Sequence, residues 1–146
     1  MVHVANFDIR TFHTDAFGHV NNARYLEFFE EARWQFAESI GLVELLIDSN
    51  FGFIIMDLKL RFRSPVCEGD SISISTQLIS LGSASGEVVQ KVTRGDTTNV
   101  VTRFLAHFIL IDRSNGKSVP IDGAIGELLD DVIEPETRSR KTTVIQ

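Results

Sequence analysis

The sequence predicts an α+β fold in which a curved antiparallel sheet of about five strands wraps around one long central helix. Three observations carry that prediction. Apolar residues recur at three- and four-residue spacing in one long run, from about residue 22 to 40. Four later segments are rich in β-branched and aromatic residues. Hairpin-length breaks separate those segments, which favours antiparallel neighbours over parallel strands joined by crossover helices.

The first element is a strand within Val2 to Phe12, where Val4, Phe7 and Ile9 alternate in part. Thr14 to Asn22 breaks the rhythm with Asp15, Gly18, Asn21 and Asn22, residues that favour turns and helix N-caps. The long helix follows. Tyr25, Phe28, Phe29, Ala32, Phe36 and Ile40 form its apolar stripe, and Glu27, Glu30, Glu31, Arg33 and Glu38 are interspersed. On the surface Glu30 and Glu31 are expected to be solvated or paired with Arg33 and Arg24, and Arg24 to pair with Glu27 one turn on. Gly41 stops the helix, and Leu42 to Asp48 makes a short second one. Strands are expected at Phe51 to Arg63, Asp70 to Ser80, Glu87 to Arg94 and Val100 to Asp112. Pro65 to Gly69 parts the first two, Gly82 to Gly86 and Gly95-Asp96 mark hairpins, and Ser114-Asn115-Gly116 ends the last strand, so a meander is expected. A third short helix falls within Ile121 to Val132. Residues 1–133 thus form one domain, and 134–146, with Pro135 and little apolar periodicity, are expected to be a mobile tail.

Composition narrows the function classes. At 146 residues with a formal charge of -6, the chain would repel a nucleic-acid backbone over most of its surface. Cys67 is the single cysteine, so no internal disulfide forms; a reduced, cytoplasmic setting and a buried, inert thiol are expected. No basic and then apolar leader opens the chain, and no run of 18 apolar residues occurs, so neither export nor membrane insertion is expected. Eleven phenylalanines stand out and suit either a core or the lining of a ligand tunnel.

The chemistry is concentrated in His13-Thr14-Asp15-Ala16-Phe17-Gly18-His19-Val20-Asn21-Asn22-Ala23-Arg24-Tyr25. A carboxylate stands in a flexible turn just ahead of a helix start, where unpaired N–H groups and the helix dipole suit a developing oxyanion. On the spacing alone, the bland reading, an aspartate that merely caps the turn, is the commoner one. His13, Asp15 and His19 also have the donor types of a metal site, but no second cluster of Cys or His supports them, and neither metal nor cofactor is expected.

That run, continued through Leu26-Glu27-Phe28-Phe29-Glu30-Glu31-Ala32-Arg33-Trp34, resembles the signature of hot-dog fold acyl-CoA thioesterases of the 4-hydroxybenzoyl-CoA thioesterase type, and within them the bacterial long-chain acyl-CoA thioesterase III group. The resemblance implies that Asp15 is the catalytic acid, as nucleophile or general base, that the backbone N–H of Asn22 polarises the thioester carbonyl, and that Gly18 permits the tight turn between them. Many relatives have an aspartate where this chain has His13. The resemblance also implies an acyl-CoA substrate, of medium or long chain, and a homodimer or homotetramer with sites at subunit interfaces. An acyl carrier protein substrate, or a domain that binds acyl thioesters without cleaving them, are the alternatives. Further substrate contacts are expected at His19, Asn21 and Tyr25, with the acyl chain between helix and sheet. Lys59, Arg61 and Arg63 alternate along a strand and suit the phosphates of coenzyme A, and Ser83 and Ser85 suit its pantetheine arm.

Overall fold

The computed structural model describes residues 1–95 and 97–136. The elements run β1 (His3–Asp8), a 3₁₀ turn (Thr11–His13), α1 (Asn22–Ser39), α2 (Leu42–Ser49), β2 (Phe51–Phe62), β3 (Ser71–Leu81), β4 (Ser85–Arg94), β5 (Val100–Asp112) and α3 (Gly123–Val132). The expected strand within Val2 to Phe12 stops at Asp8. The Thr11–His13 turn takes over, closed by the His13 N–H on the Arg10 carbonyl at 3.0 Å.

Asn21 starts α1 by accepting the Ala23 N–H on its side-chain oxygen at 2.9 Å, satisfying a donor that the first turn leaves unpaired. At the other end Gly41 adopts φ +77°, a left-handed conformation that glycine takes without penalty, and the chain turns into α2. Asn50, at φ 57°, stops α2 in the same way.

All strand pairs are antiparallel, and the sheet order is β1-β3-β4-β5-β2. The expected meander holds for β3, β4 and β5. It fails for β2, which pairs with β5 and not with β3. The Pro65 to Gly69 stretch therefore crosses over strand ends and is not a hairpin. The N–H groups of Arg63 and Ser64 donate to the Val101 carbonyl, and Arg94 reaches the Pro65 carbonyl at 2.8 Å, so the crossing is tied down over β5 and β4. Beyond β5, β2 has no further strand partner among the described residues.

The inner face of the sheet carries Ile72, Ile74, Val92 and Phe104, which pack with Phe28 and Phe29 of α1 in one core. Phe29 and Phe104 stack at 4.9 Å and are almost fully buried. Each such side chain contributes about 1.5–3 kcal/mol through removal from water. A buried polar knot sits in the middle of this layer. Gln90 donates to the Phe29 carbonyl and to the Thr76 hydroxyl, both at 2.9 Å, and accepts from Arg33 at 2.9 Å. It fastens α1 to β3 and β4 with its hydrogen-bonding groups paired, the condition under which buried polarity is tolerated.

The stretch after α3 leans back on the sheet. The Glu134 N–H donates to the Leu78 carbonyl at 2.9 Å, and Glu136 pairs with Lys91 and Arg103 at 2.9 and 2.7 Å. The rest of the expected tail, 137–146, lies outside the described residues. No helix among the described residues is long and apolar enough to cross a membrane.

Candidate active site

The segment singled out by its chemistry folds as a closed loop against the start of α1. Thr14 bridges Val20, the Asp15 N–H donates to the His19 carbonyl at 2.8 Å, and the Asn21 N–H returns to the His13 carbonyl at 2.9 Å. Two further contacts fix the loop to the crossing segment: His19 bridges Cys67, and the Val20 N–H donates to the Val66 carbonyl at 2.8 Å. Gly18 turns the tip with φ +74°. A β-carbon there would meet nothing within 4 Å, so the glycine serves backbone conformation and not space.

Within the loop the Asp15 carboxylate is anchored on one side. Its Oδ1 accepts the Phe17 N–H at 2.9 Å and the His19 N–H at 3.3 Å, and Oδ2 has no hydrogen-bond partner among the described residues. Asp15 therefore caps its own turn, as the bland reading has it, yet leaves an oxygen free. Asn22 is exposed at the first position of α1, and its N–H has no acceptor among the described residues. An anchored carboxylate and an unpaired helix N–H thus stand at the two ends of one short loop. Phe17 is 85% exposed and Phe12 69%, two aromatic rings standing in water beside the acid.

The remaining residues expected at a site divide into those near this loop and those far from it. His19 contributes backbone groups, and Asn21 spends its side chain on the helix cap. His13 accepts the Arg10 N–H on Nδ1 at 2.8 Å and lies between the Phe12 and Phe28 rings, where burial pushes its pKa down. Tyr25 is buried against Phe29 and Phe62. Lys59 and Arg61 point outward from β2, with Arg63 just beyond its end; all three are exposed, with no carboxylate of the described residues in ion-pair range. Ser83 and Ser85 lie at the β3–β4 turn. That is the opposite end of β3 from the Asp15 loop, an eleven-residue strand and so about 36 Å away. One chain does not bring them to Asp15. Cys67 is half-buried, not sealed in the core as expected. No group of three or more His, Cys, Asp or Glu among the described residues could hold a metal ion.

A cavity of about 740 Å³ lies between α1, α2 and the sheet, the layer where the resemblance expects an acyl chain. Phe36, Leu46, Phe53, Ile55, Phe108 and Leu129 supply much of its apolar wall. Its size is within the range of small-molecule sites. No residue of the Asp15 loop lines it. The start of β2 lines the cavity, whereas the loop sits by the crossing segment beyond the end of β2. Arg33 was expected to pair on the surface with Glu30 or Glu31. Instead it turns inward to Gln90, lies 5.1 Å from the centre of the Phe104 ring and lines the cavity. Its place was legible in the spacing, four residues after Phe29 and three before Phe36, on the buried stripe.

Residues 9–129 match the family model described as the thioesterase-like superfamily, which is most of the chain. The chain belongs to this superfamily. As a thioesterase-like protein it is 33% identical over 126 residues to the long-chain acyl-CoA thioesterase FadM of Escherichia coli, covering 86% of this chain and 96% of that one. Its structure superposes on that of YbaW, a probable thioesterase from Escherichia coli, with a TM-score of 0.82 and 32% identity, covering 90% of this chain and 98% of the other. A Staphylococcus aureus protein, SAV2348, solved in complex with CoA, shares the fold with a TM-score of 0.83 at 11% identity, covering 94% of this chain and 89% of that one. The curled five-stranded sheet with its packed helices is the hot-dog fold of this thioesterase-like superfamily.

Proposed function

We propose that this protein hydrolyses acyl-CoA of medium or long chain to the free acid and coenzyme A, with Asp15 as its catalytic carboxylate. The observation that carries the reading is the Asp15 loop. One carboxylate oxygen is held by two backbone N–H groups, and among the described residues the other has no partner and the N–H of Asn22, where the loop meets α1, has no acceptor. Similarity to FadM over nearly its whole length supports the substrate class.

The chemistry follows from those groups. With the thioester carbonyl oxygen on the Asn22 N–H, negative charge that develops on that oxygen is stabilised without reorganisation. Asp15 accepts a proton from a water whose oxygen attacks the carbonyl carbon. The tetrahedral species then expels the sulfur, which leaves as thiolate and takes up a proton, giving acid and thiol. Direct attack by the carboxylate is the other route: a mixed anhydride forms as the C–S bond breaks, and water then hydrolyses it. Label from ¹⁸O water appearing in Asp15 would establish the second route, since it can enter there only by attack of water on the Asp15 carbonyl of the anhydride.

The acyl chain needs an apolar channel, and within one chain the cavity and Asp15 are apart. A homodimer joins them. The free edge of β2 presents Ile54, Met56, Leu58 and Phe62 to solvent, an exposed apolar strand of the kind that pairs with another copy. Two-fold antiparallel pairing of β2 would set the start of one strand, with its cavity, beside the end of the other. The partner's loop, tied to the segment just past that end, arrives with it. Lys59, Arg61 and Arg63 then lie along the same seam as exposed cations for the phosphates of coenzyme A.

The deciding experiment is thiol release from palmitoyl-CoA, decanoyl-CoA and 4-hydroxybenzoyl-CoA by the wild type and by Asp15→Asn. The expected outcome is turnover of the aliphatic thioesters by the wild type and a loss of about 100- to 10,000-fold in the variant, with an unchanged melting profile. Saturable binding without thiol release, or an Asp15→Asn variant that keeps most of the wild-type rate, would overturn the reading.

A further inference from the structure

We propose that the cavity selects acyl chains bearing a neutral hydrogen-bond-accepting oxygen, a hydroxyl or a ketone, and that Arg33 is the residue that reads it. The inference rests on the acyl chain entering this cavity, as argued above.

The wall is made mostly of Phe, Leu, Ile and Val side chains, all that an alkyl chain alone would call for, with Glu30, Arg33, Trp34, Thr76 and Arg113 as the larger polar or mixed exceptions. Of the charged ones, Arg33 is the half-buried residue, whereas Glu30 and Arg113 are exposed. A guanidinium has five N–H donors and no acceptor, and among the described residues Arg33 donates one of them, from Nη1, to Gln90. No carboxylate of the described residues lies within ion-pair range of it. Its surroundings press on the charge: burial pulls the pKa of Arg33 down, and the nearby Glu30 opposes this only in part. Leaving such donors unmet in a half-buried wall costs free energy, and an acceptor oxygen on the ligand would recover it.

The neighbours decide which oxygen. Thr76 is on the same wall but fully sealed, and its hydroxyl accepts from Gln90; Trp34 and Arg113 also line the space but are exposed to solvent, so Arg33 is its half-buried donor. Glu30 lines the cavity next to Arg33, and its carboxylate would repel an anionic group there. A neutral acceptor meets the guanidinium without that repulsion, whereas a terminal carboxylate on the acyl chain would not.

The test compares kcat/KM for acyl-CoA thioesters of one carbon count: unsubstituted, hydroxyl-bearing and keto-bearing at positions along the chain, and terminally carboxylated. The wild type is expected to favour at least one hydroxy or keto chain over the unsubstituted chain by about ten- to a hundredfold, the range of a hydrogen bond to a charged group. In Arg33→Met that ratio should fall to about one, whatever happens to absolute rates, and Arg33→Lys, which keeps a donor and the charge, should retain part of it. Competition by free acids against the wild type alone gives a second reading that needs no variant, with the hydroxylated acid expected to inhibit at lower concentration than the plain one. Preference for the unsubstituted or the carboxylated chain, a ratio that survives Arg33→Met, or equal inhibition by the two acids would overturn the proposal. Should the wild type hydrolyse unsubstituted acyl-CoA in an Asp15-dependent way without any such preference, this inference falls and the thioesterase reading stands. Turnover of no acyl-CoA at all would remove both.

Discussion

On the outer face of the sheet His107 lies between two carboxylates, with Nδ1 2.6 Å from Asp57 and Nε2 2.6 Å from Glu87, whose other oxygen accepts from the Ser80 hydroxyl at 2.7 Å. The hydrogen bond to Asp57, and then that to Glu87, raises the pKa of His107 above its ordinary value. Ser80, and then His107, lowers that of Glu87. The signs follow from linkage. The His107 contribution to stability is fully present below the unfolded pKa, about 6.5, and is lost as pH rises through the higher folded value. The Glu87 contribution is lost only as pH falls through its depressed value. Urea midpoints of the wild type and His107→Gln should therefore differ most in mildly acidic buffer and converge toward alkaline pH; parallel curves across that range would refute the assignment. At this scale Asp15, Gly18 and Asn21 were legible, because turn and cap chemistry is local. Arg33 was not read correctly: its spacing placed it on the buried stripe, but its charge argued for the surface, and only the Gln90 partner on a distant strand resolves the conflict. His107 left no trace, since its two partners, Asp57 and Glu87, come from two other strands.

The helices and the last four strands were legible to within about two residues, because each has its own periodicity and its own stop. What sequence could not supply was the fit between elements. Gly86 was read as part of a hairpin turn, whereas it pairs with Phe108 inside the β4–β5 ladder. A β-carbon on it would come 2.5 Å from the end of the Phe108 ring and 2.8 Å from the Ser80 carbonyl. Gly86→Ala should accordingly destabilise the protein by about 1–3 kcal/mol, the usual cost of overpacking, measurable as a lower urea midpoint. Because Phe108 also lines the cavity, the same substitution should disturb acyl-chain preference; an unchanged midpoint would show that the ring moves aside freely.

For the molecule as a whole, the topology departs from the expected meander at one strand, β2, which is also the strand proposed as the seam between copies. Hairpin lengths are local and predicted β3, β4 and β5 well. The placement of β2 depends on a crossing whose anchor points, Val101 and Arg94, lie some thirty or more residues along the chain. Which side chains line the cavity was equally hidden, since phenylalanines that fill a core and those that line a void look the same in sequence. If β2 is the seam between copies, a charge in its middle should open it. Leu58→Lys is expected to sediment as a monomer with its secondary structure retained, and a variant that stays dimeric would point to another interface.

With the acid and the channel at opposite ends of β2, a lone chain would own half of each of two workplaces and the whole of neither. Specific activity should then depend on enzyme concentration, declining on dilution while each polypeptide remains folded, and recovering when an inactive Asp15→Asn chain lends its channel to a wild-type neighbour.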